Sequence, residues 1–245
     1  MRNATEQLRR VGAAAAPMYG FTLLLALVLI TPPFLGAPAD ALEPSNAEAR
    51  VRLVAGLSWG SRMLLKVGFP LEFLNVPLLV IALVALWESL AGSGLGRRTL
   101  ALVASLLGAM FLLIGHFQRF ILLTLADRYL ASDETHRAGI GAAAVLGESV
   151  SQTDDMAFNA LLGTGLAFFA VALTRGAVAR WFAWLTWAAA VLCLISAVLS
   201  AIDWRLGFLS LPALILFVLW TLALGVILWR GSASDCLHVA ESRGV

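Results

Sequence analysis

The sequence is short of nearly everything a soluble domain places on its surface. Charged residues make up 13% of its 245 residues, against about 25% in a soluble globular domain. That is too little charge to coat a water-exposed surface, and it excludes an ordinary soluble fold. Cysteine occurs only twice. Cys193 stands mid-way along an apolar run and Cys236 in the C-terminal tail, so neither a disulfide framework nor a thiolate metal cluster can be drawn. Of three histidines, His136 and His238 have no ligand spacing around them, and no metal site is expected. His116 is the one histidine inside an apolar run, and haem needs a second axial ligand or a shaped distal pocket. No cofactor is therefore expected. A single lysine stands beside sixteen arginines, which we read as the codon bias of a GC-rich genome. The formal net charge is +2 with no concentrated basic face, so nucleic acid is not an expected partner.

What the sequence has in abundance is apolar length. Hydrophobic residues reach 60% and the mean hydropathy is +0.89. Apolar stretches near 20 residues recur, and about 20 residues rising 1.5 Å each are what a helix needs to cross ~30 Å of hydrocarbon. The expected fold class is all-α: a polytopic membrane protein with six transmembrane helices bundled in a single membrane domain, its surroundings the lipid bilayer. The spans fall at about 12–35, 69–90, 99–124, 156–174, 181–202 and 207–229. Pro77 and Pro212 lie inside their spans and are expected to kink them. Trp181, Trp184, Trp187, Trp204 and Trp229 cluster toward span ends, as interface anchors do.

Arginines next to the spans orient the chain. With both termini cytoplasmic, Arg2, Arg9, Arg10, Arg97, Arg98, Arg175, Arg180, Arg230 and Arg243 lie inside, and the short turns 91–98 and 175–180 hold only arginine among charged residues. The expected location is the bacterial cytoplasmic (inner) membrane. A signal peptide competes for the first run, since "RR" precedes "FTLLLALVLI" and Ala39-Asp40-Ala41 looks like a cleavage site. The uncharged stretch from Val11 to Ala39 is nevertheless long enough to span, and the triplet lies far past the apolar core. The run is read as a retained first span.

Two segments then lie outside the membrane. In 36–68, Leu53, Leu57, Leu64 and Val67 share one helical face and Arg52, Ser58, Arg62 and Lys66 another, which predicts an interfacial helix before the second span. The segment 127–155 is acidic and is expected to form a short helix or cap.

The polar residues within the spans converge at one level. In "GHFQRF" (115–120), His116 and Arg119 share a helical face with Ser105, Gly108 and Leu112, whereas Gln118 points elsewhere. An ionisable group facing lipid costs several kcal/mol, roughly 2.5–3.5 for arginine at mid-membrane, so this face turns inward or its charges reach for water. From Arg98 the helix carries His116 up by ~27 Å, to the outer leaflet. Glu72 and Asn75, spaced i,i+3 near the outer end of the second span, and Asn159, just inside the fourth, reach the same depth. The candidate ligand-binding residues are therefore Glu72, Asn75, His116, Arg119 and Asn159, with Glu72 paired to Arg119. The alternative is a purely structural ion pair that fixes helix packing. No catalytic residue is assigned.

Other motifs carry less. "GLSWG" (56–60) matches G-x-S-x-G but lacks the strand-to-helix turn of a nucleophile elbow. "GSGLGRR" (92–98) follows no strand and reads as a tight turn rather than a phosphate loop. Small residues line two faces, Asn159, Gly163, Ala167, Ala170 and Thr174 in the fourth span and Thr186, Ala190, Cys193, Ala197 and Ser200 in the fifth. Such faces let helix backbones approach closely, and the two are expected to pack together.

The opening "RRVGAAAAPMYG", the long segment before the second span, "RTLALVASLLGAMF" and "TRGAVARWFAWLTWAAAVLCL" give the chain a layout that resembles a bacterial membrane family, domain of unknown function 4386, over most of residues 9–230. The resemblance implies a six-helix integral membrane protein and carries no activity or functional residues. Glu72, His116 and Arg119 thus rest on the residue reading alone. Three functions fit that reading: a binding or transport module for a small or lipidic ligand, a structural or regulatory partner of another membrane protein or of a second copy, and an intramembrane enzyme using His116. Transport should show internal symmetry, and no clear repeat is found.

Overall fold

The computed structural model describes residues 2–38, 46–91, 94–174, 180–203 and 211–242. The Ala39-Asp40-Ala41 triplet, Arg175, Trp204, Arg205 and the first residues of the sixth expected span (207–210) lie outside them.

The protein is an all-α membrane bundle. Its helices, in order, are α1 (Arg2–Ile30), α2 (Ala47–Gly56), α3 (Trp59–Ser89), α4 (Leu95–Ala131), α5 (Glu134–Thr174), α6 (Arg180–Ile202) and α7 (Leu211–Ser242). All but α2 are long and apolar enough to cross a membrane. The outward surface is correspondingly greasy, with Phe21, Val28, Met110, Trp184, Val198 and Ile215 all exposed.

The helix bounds depart from the expected spans where capping chemistry intervenes. The helix expected within 36–68 before the second span is present as the short α2, but it does not run on through 57–68. Asn46 caps α2 by accepting from the Ala49 amide, and α2 ends after Gly56. Ser58 then restarts the chain as α3, its Oγ accepting from the Ser61 amide at 3.2 Å. A serine at an N-cap satisfies an amide that the first turn leaves without a carbonyl, and this is the local role of the G-x-S-x-G serine. The buried face of α2 is Ala47, Val51, Val54 and Ala55 rather than the Leu53 face. It joins a core with Leu65, Phe69, Leu123, Ala126, Tyr129 and Ala144. Likewise 127–155 is no separate cap: α4 continues to Ala131, and α5 starts at Glu134 and runs unbroken to Thr174. Between them Asp133 Oδ1 accepts from the His136 amide at 2.9 Å. That amide, with the His136 ring beside it, holds the Asp133 carboxyl below the usual carboxylate range. Pro77 lies within α3 as expected, whereas Pro212 occupies the first turn of α7, where a missing amide breaks no hydrogen bond and imposes no kink.

Contacts divide the chain into two compact units, Met1–Phe21, Asn75–Met110 and Met156–Val245 in the first, Thr22–Leu74 and Phe111–Asp155 in the second. The first unit is held by close backbone approach. A Cβ added to Gly163 would stand 3.0 Å from Ala190 O and 3.1 Å from Cys193 Cβ, so the small faces of α5 and α6 do meet. A Cβ on Gly165 would collide with Ser105 Oγ and come within 2.8 Å of Ala101 O, and one on Gly225 within 2.8 Å of Pro17 Cδ. Trp220 anchors α7 on α6, donating to Thr186 Oγ1 at 2.9 Å and stacking on Phe182 and Phe217.

Without a strong hydrophobic force between helices in lipid, this contact area supplies the association. Gly165→Ala should therefore lower the thermal midpoint in detergent by several degrees, since overpacking costs about 1–3 kcal/mol. Gly96→Ala, whose Cβ meets nothing within 4 Å, should leave it unchanged. Equal midpoints for the two variants would show that the α4–α5 approach does not hold the unit together.

Candidate functional site

The second unit contains the charged groups that the α4 sequence brings into apolar surroundings. Arg119 on α4 makes an ion pair with Glu72 Oε1 on α3. The Glu72 side chain is 5% exposed and that of Arg119 32%, so the carboxylate is enclosed while the guanidinium keeps one edge open. His116, one turn earlier on α4, is buried, with Nδ1 3.6 Å from the second Glu72 oxygen. That separation is too long for a hydrogen bond, and neither His116 Nδ1 nor Glu72 Oε2 has a hydrogen-bond partner among the described residues.

Aromatic rings cluster beside this group, the Phe73 ring 6.5 Å from that of His116. Phe73, next to Glu72, packs edge-on against Phe117 at 4.7 Å and Phe120 at 5.5 Å, and Phe120 meets Phe69 at 6.4 Å. The burial of the Glu72 carboxylate strengthens its attraction to Arg119. On the α5 side, Gly115 meets two acids. A Cβ there would lie 3.7 Å from Asp154 Cβ and 3.8 Å from Asp155 Oδ1, in ordinary van der Waals contact, so Gly115 stands close beside both acids. Further along the unit, Arg50 of α2 pairs with Glu148 of α5, and Arg62 of α3 with Asp127 of α4.

A cavity of about 280 Å³ opens beside these groups. Its lining combines apolar residues, among them Ile30, Phe34, Phe69, Ile121, Leu122 and Leu125, with the polar and charged Arg50, Gln118, Arg119, Glu148 and Asp155. The lining offers hydrogen bonds, charge and apolar contact.

Of the five residues expected to converge, Glu72, His116 and Arg119 stand together, and Arg119 reaches the cavity. Asn75, buried, and Asn159, half-buried, belong to the first unit and do not line it. Gln118, expected to point away, lines it beside Arg119. Arg50, Glu148 and Asp155 fall in 36–68 and 127–155, which hydropathy alone places outside the bundle. The usable signal was spacing: Ala144, Glu148 and Asp155 stand four and seven residues apart, on one face of a helix. No family model, no curated protein and no solved structure matches the chain.

The Glu72–Arg119 pair is open to direct test. Removing one partner of a fully buried pair costs about 3–5 kcal/mol because the other charge is stranded, and the open edge of Arg119 should bring the cost below that range. Glu72→Gln and Arg119→Gln should each lower the thermal midpoint in detergent, and the double variant should regain part of the loss. Additive losses in the double variant would mean that the two charges do not depend on each other.

Proposed function

We propose that the protein is a membrane-embedded binding or transport-type module for a small amphiphilic ligand, held in the cavity of the 22–74 and 111–155 unit. The observation that carries this reading is the mixed lining of the cavity. Apolar side chains are useful to a ligand's hydrocarbon, and ion-paired side chains to a polar head. Ion pairs that only fixed helix packing would need no cavity beside them. The resemblance to domain of unknown function 4386 belongs to the same proposal, as an expectation of six membrane helices.

The proposed setting is the bacterial cytoplasmic membrane with both termini cytoplasmic and the cavity toward the outer leaflet. Support comes from the arginine-only segments 91–98 and 175–180, which the positive-inside tendency assigns to the cytoplasm. In a background lacking Cys193 and Cys236, an impermeant thiol reagent on intact cells should label a cysteine at Ser132 and spare one at Ser234. Labelling at Ser234 alone would invert the topology.

Ala143 lines the cavity and is otherwise exposed, so a larger side chain there occupies the cavity without overpacking the core. Ala143→Leu should keep the wild-type thermal midpoint and lose most of the saturable uptake of a ten-carbon amphiphile by the protein in lipid nanodiscs. Undiminished uptake would remove the cavity as the binding site.

A further inference from the structure

The charges that line the cavity are answered by other charges of the protein. The lining holds two guanidiniums, Arg50 and Arg119, and two carboxylates, Glu148 and Asp155. Arg50 is ion-paired with Glu148, and their side chains are only 16% and 22% exposed. Arg119 is ion-paired with Glu72, which stands outside the lining, and its charge also acts on Asp155. The polar side chain that remains is Gln118, an uncharged amide with N–H donors and an accepting oxygen. It is half-buried, and no hydrogen bond or ion pair joins it to another described residue. Its Oε1 lies beside Gly147, also in the lining, 3.1 Å from where a Cβ of that residue would stand. A side chain at 147 would crowd the amide.

A ligand with net charge gains little in such surroundings. To meet an anion, Arg50 or Arg119 must give up its carboxylate; to meet a cation, Glu148 must give up Arg50 or Asp155 must turn from Arg119. Opening a largely buried ion pair strands the partner left behind. A charge that enters without opening one is taken from water with no counter-charge to meet it. An uncharged head escapes both costs. Paired guanidiniums and carboxylates keep further donors and lone pairs, and the Gln118 amide supplies both kinds of group. We propose that the ligand of this cavity is an uncharged amphiphile, a hydroxyl or amide head on a hydrocarbon body, with its head hydrogen-bonded to Gln118. The body lies against Phe69, Leu122 and Leu125. The inference rests on the cavity being a ligand site, and the experiment separates the two claims.

The full-length protein in zwitterionic nanodiscs is titrated with three probes of equal chain length, decanol, decyltrimethylammonium and decanoate, at a pH where decanoate is ionised. Saturable binding is measured above that of empty nanodiscs and referred to the probe concentration in the bilayer. Decanol is expected to bind first, and each ion more weakly by about tenfold or more, since an ion must open a pair or go without one. Gln118→Leu should weaken decanol by roughly two- to tenfold, the loss of one hydrogen bond, and leave the ions where they were. Glu148→Gln, which takes that carboxylate from Arg50, should raise decanoate toward decanol. If Glu148→Gln does not fold, the order of the probes on wild-type protein and the response to Gln118→Leu decide. Either ion binding as tightly as decanol, in a manner sensitive to Ala143→Leu, would overturn the uncharged class and leave the cavity as a site. Decanol binding unmoved by Gln118→Leu would overturn the placement of the head. Absence of saturable binding by every probe, or binding indifferent to Ala143→Leu, would overturn the site itself and this inference with it.

Discussion

Arg119 carries a charge that its surroundings cannot tolerate alone, and its pairing with Glu72 is the interaction on which the second unit depends. The pair joins α3 to α4 at a fixed register, because a guanidinium and a carboxylate satisfy one another only at contact distance and in a narrow range of orientations. Once α3 and α4 are so aligned, Phe69, Phe73, Phe117 and Phe120 fall against each other. Arg119 keeps part of its side chain exposed and lines the cavity. The same charge therefore serves helix registration and contributes to the cavity lining.

The first unit follows a different rule. Its helices carry few charges into their contacts and gain little from leaving lipid for one another, so they associate through backbone proximity. Gly163, Gly165 and Gly225 each stand where a Cβ would meet a neighbour at 3.0 Å or less. Trp220 and Thr186 add a directional bond whose value lies in leaving no indole N–H unsatisfied in hydrocarbon. The contrast gives the molecule one unit built on van der Waals fit and another built on charge pairs and a conventional apolar core.

Helix length explains why the charged unit can exist. At 1.5 Å per residue, α4 and α5 extend about 55 and 60 Å, nearly twice a ~30 Å hydrocarbon layer. Part of each must lie beyond it. The acidic residues at 127–155 belong to α4, α5 and the turn between them, and α2 supplies an apolar face with which these helices bury a core.

The membrane character and the number of spans were legible in the sequence because both follow from local properties, the length of an apolar run and its scarcity of charge. The partnership of Glu72 with Arg119 was legible for the same kind of reason: each lies on an apolar helix at a similar height, and lipid leaves a charge few alternatives. The small-residue faces of α5 and α6 could also be read, since helical spacing places Gly163 on one stripe and Ala190 and Cys193 on another. What escaped the sequence was decided by contacts between distant segments. The 45–68 stretch divides at Ser58 because a side-chain cap ends one helix and begins another, and α2 turns its Val51 and Val54 face inward because α3, α4 and α5 offer it a core. Arg50, Glu148 and Asp155 gather at one cavity only when α5 is a single helix beginning at the Asp133 cap. Hydropathy measures the transfer of each residue from water to oil, and it determined which segments are membrane helices. Which charges meet depends on how those helices are set against one another, and that only the tertiary structure decided.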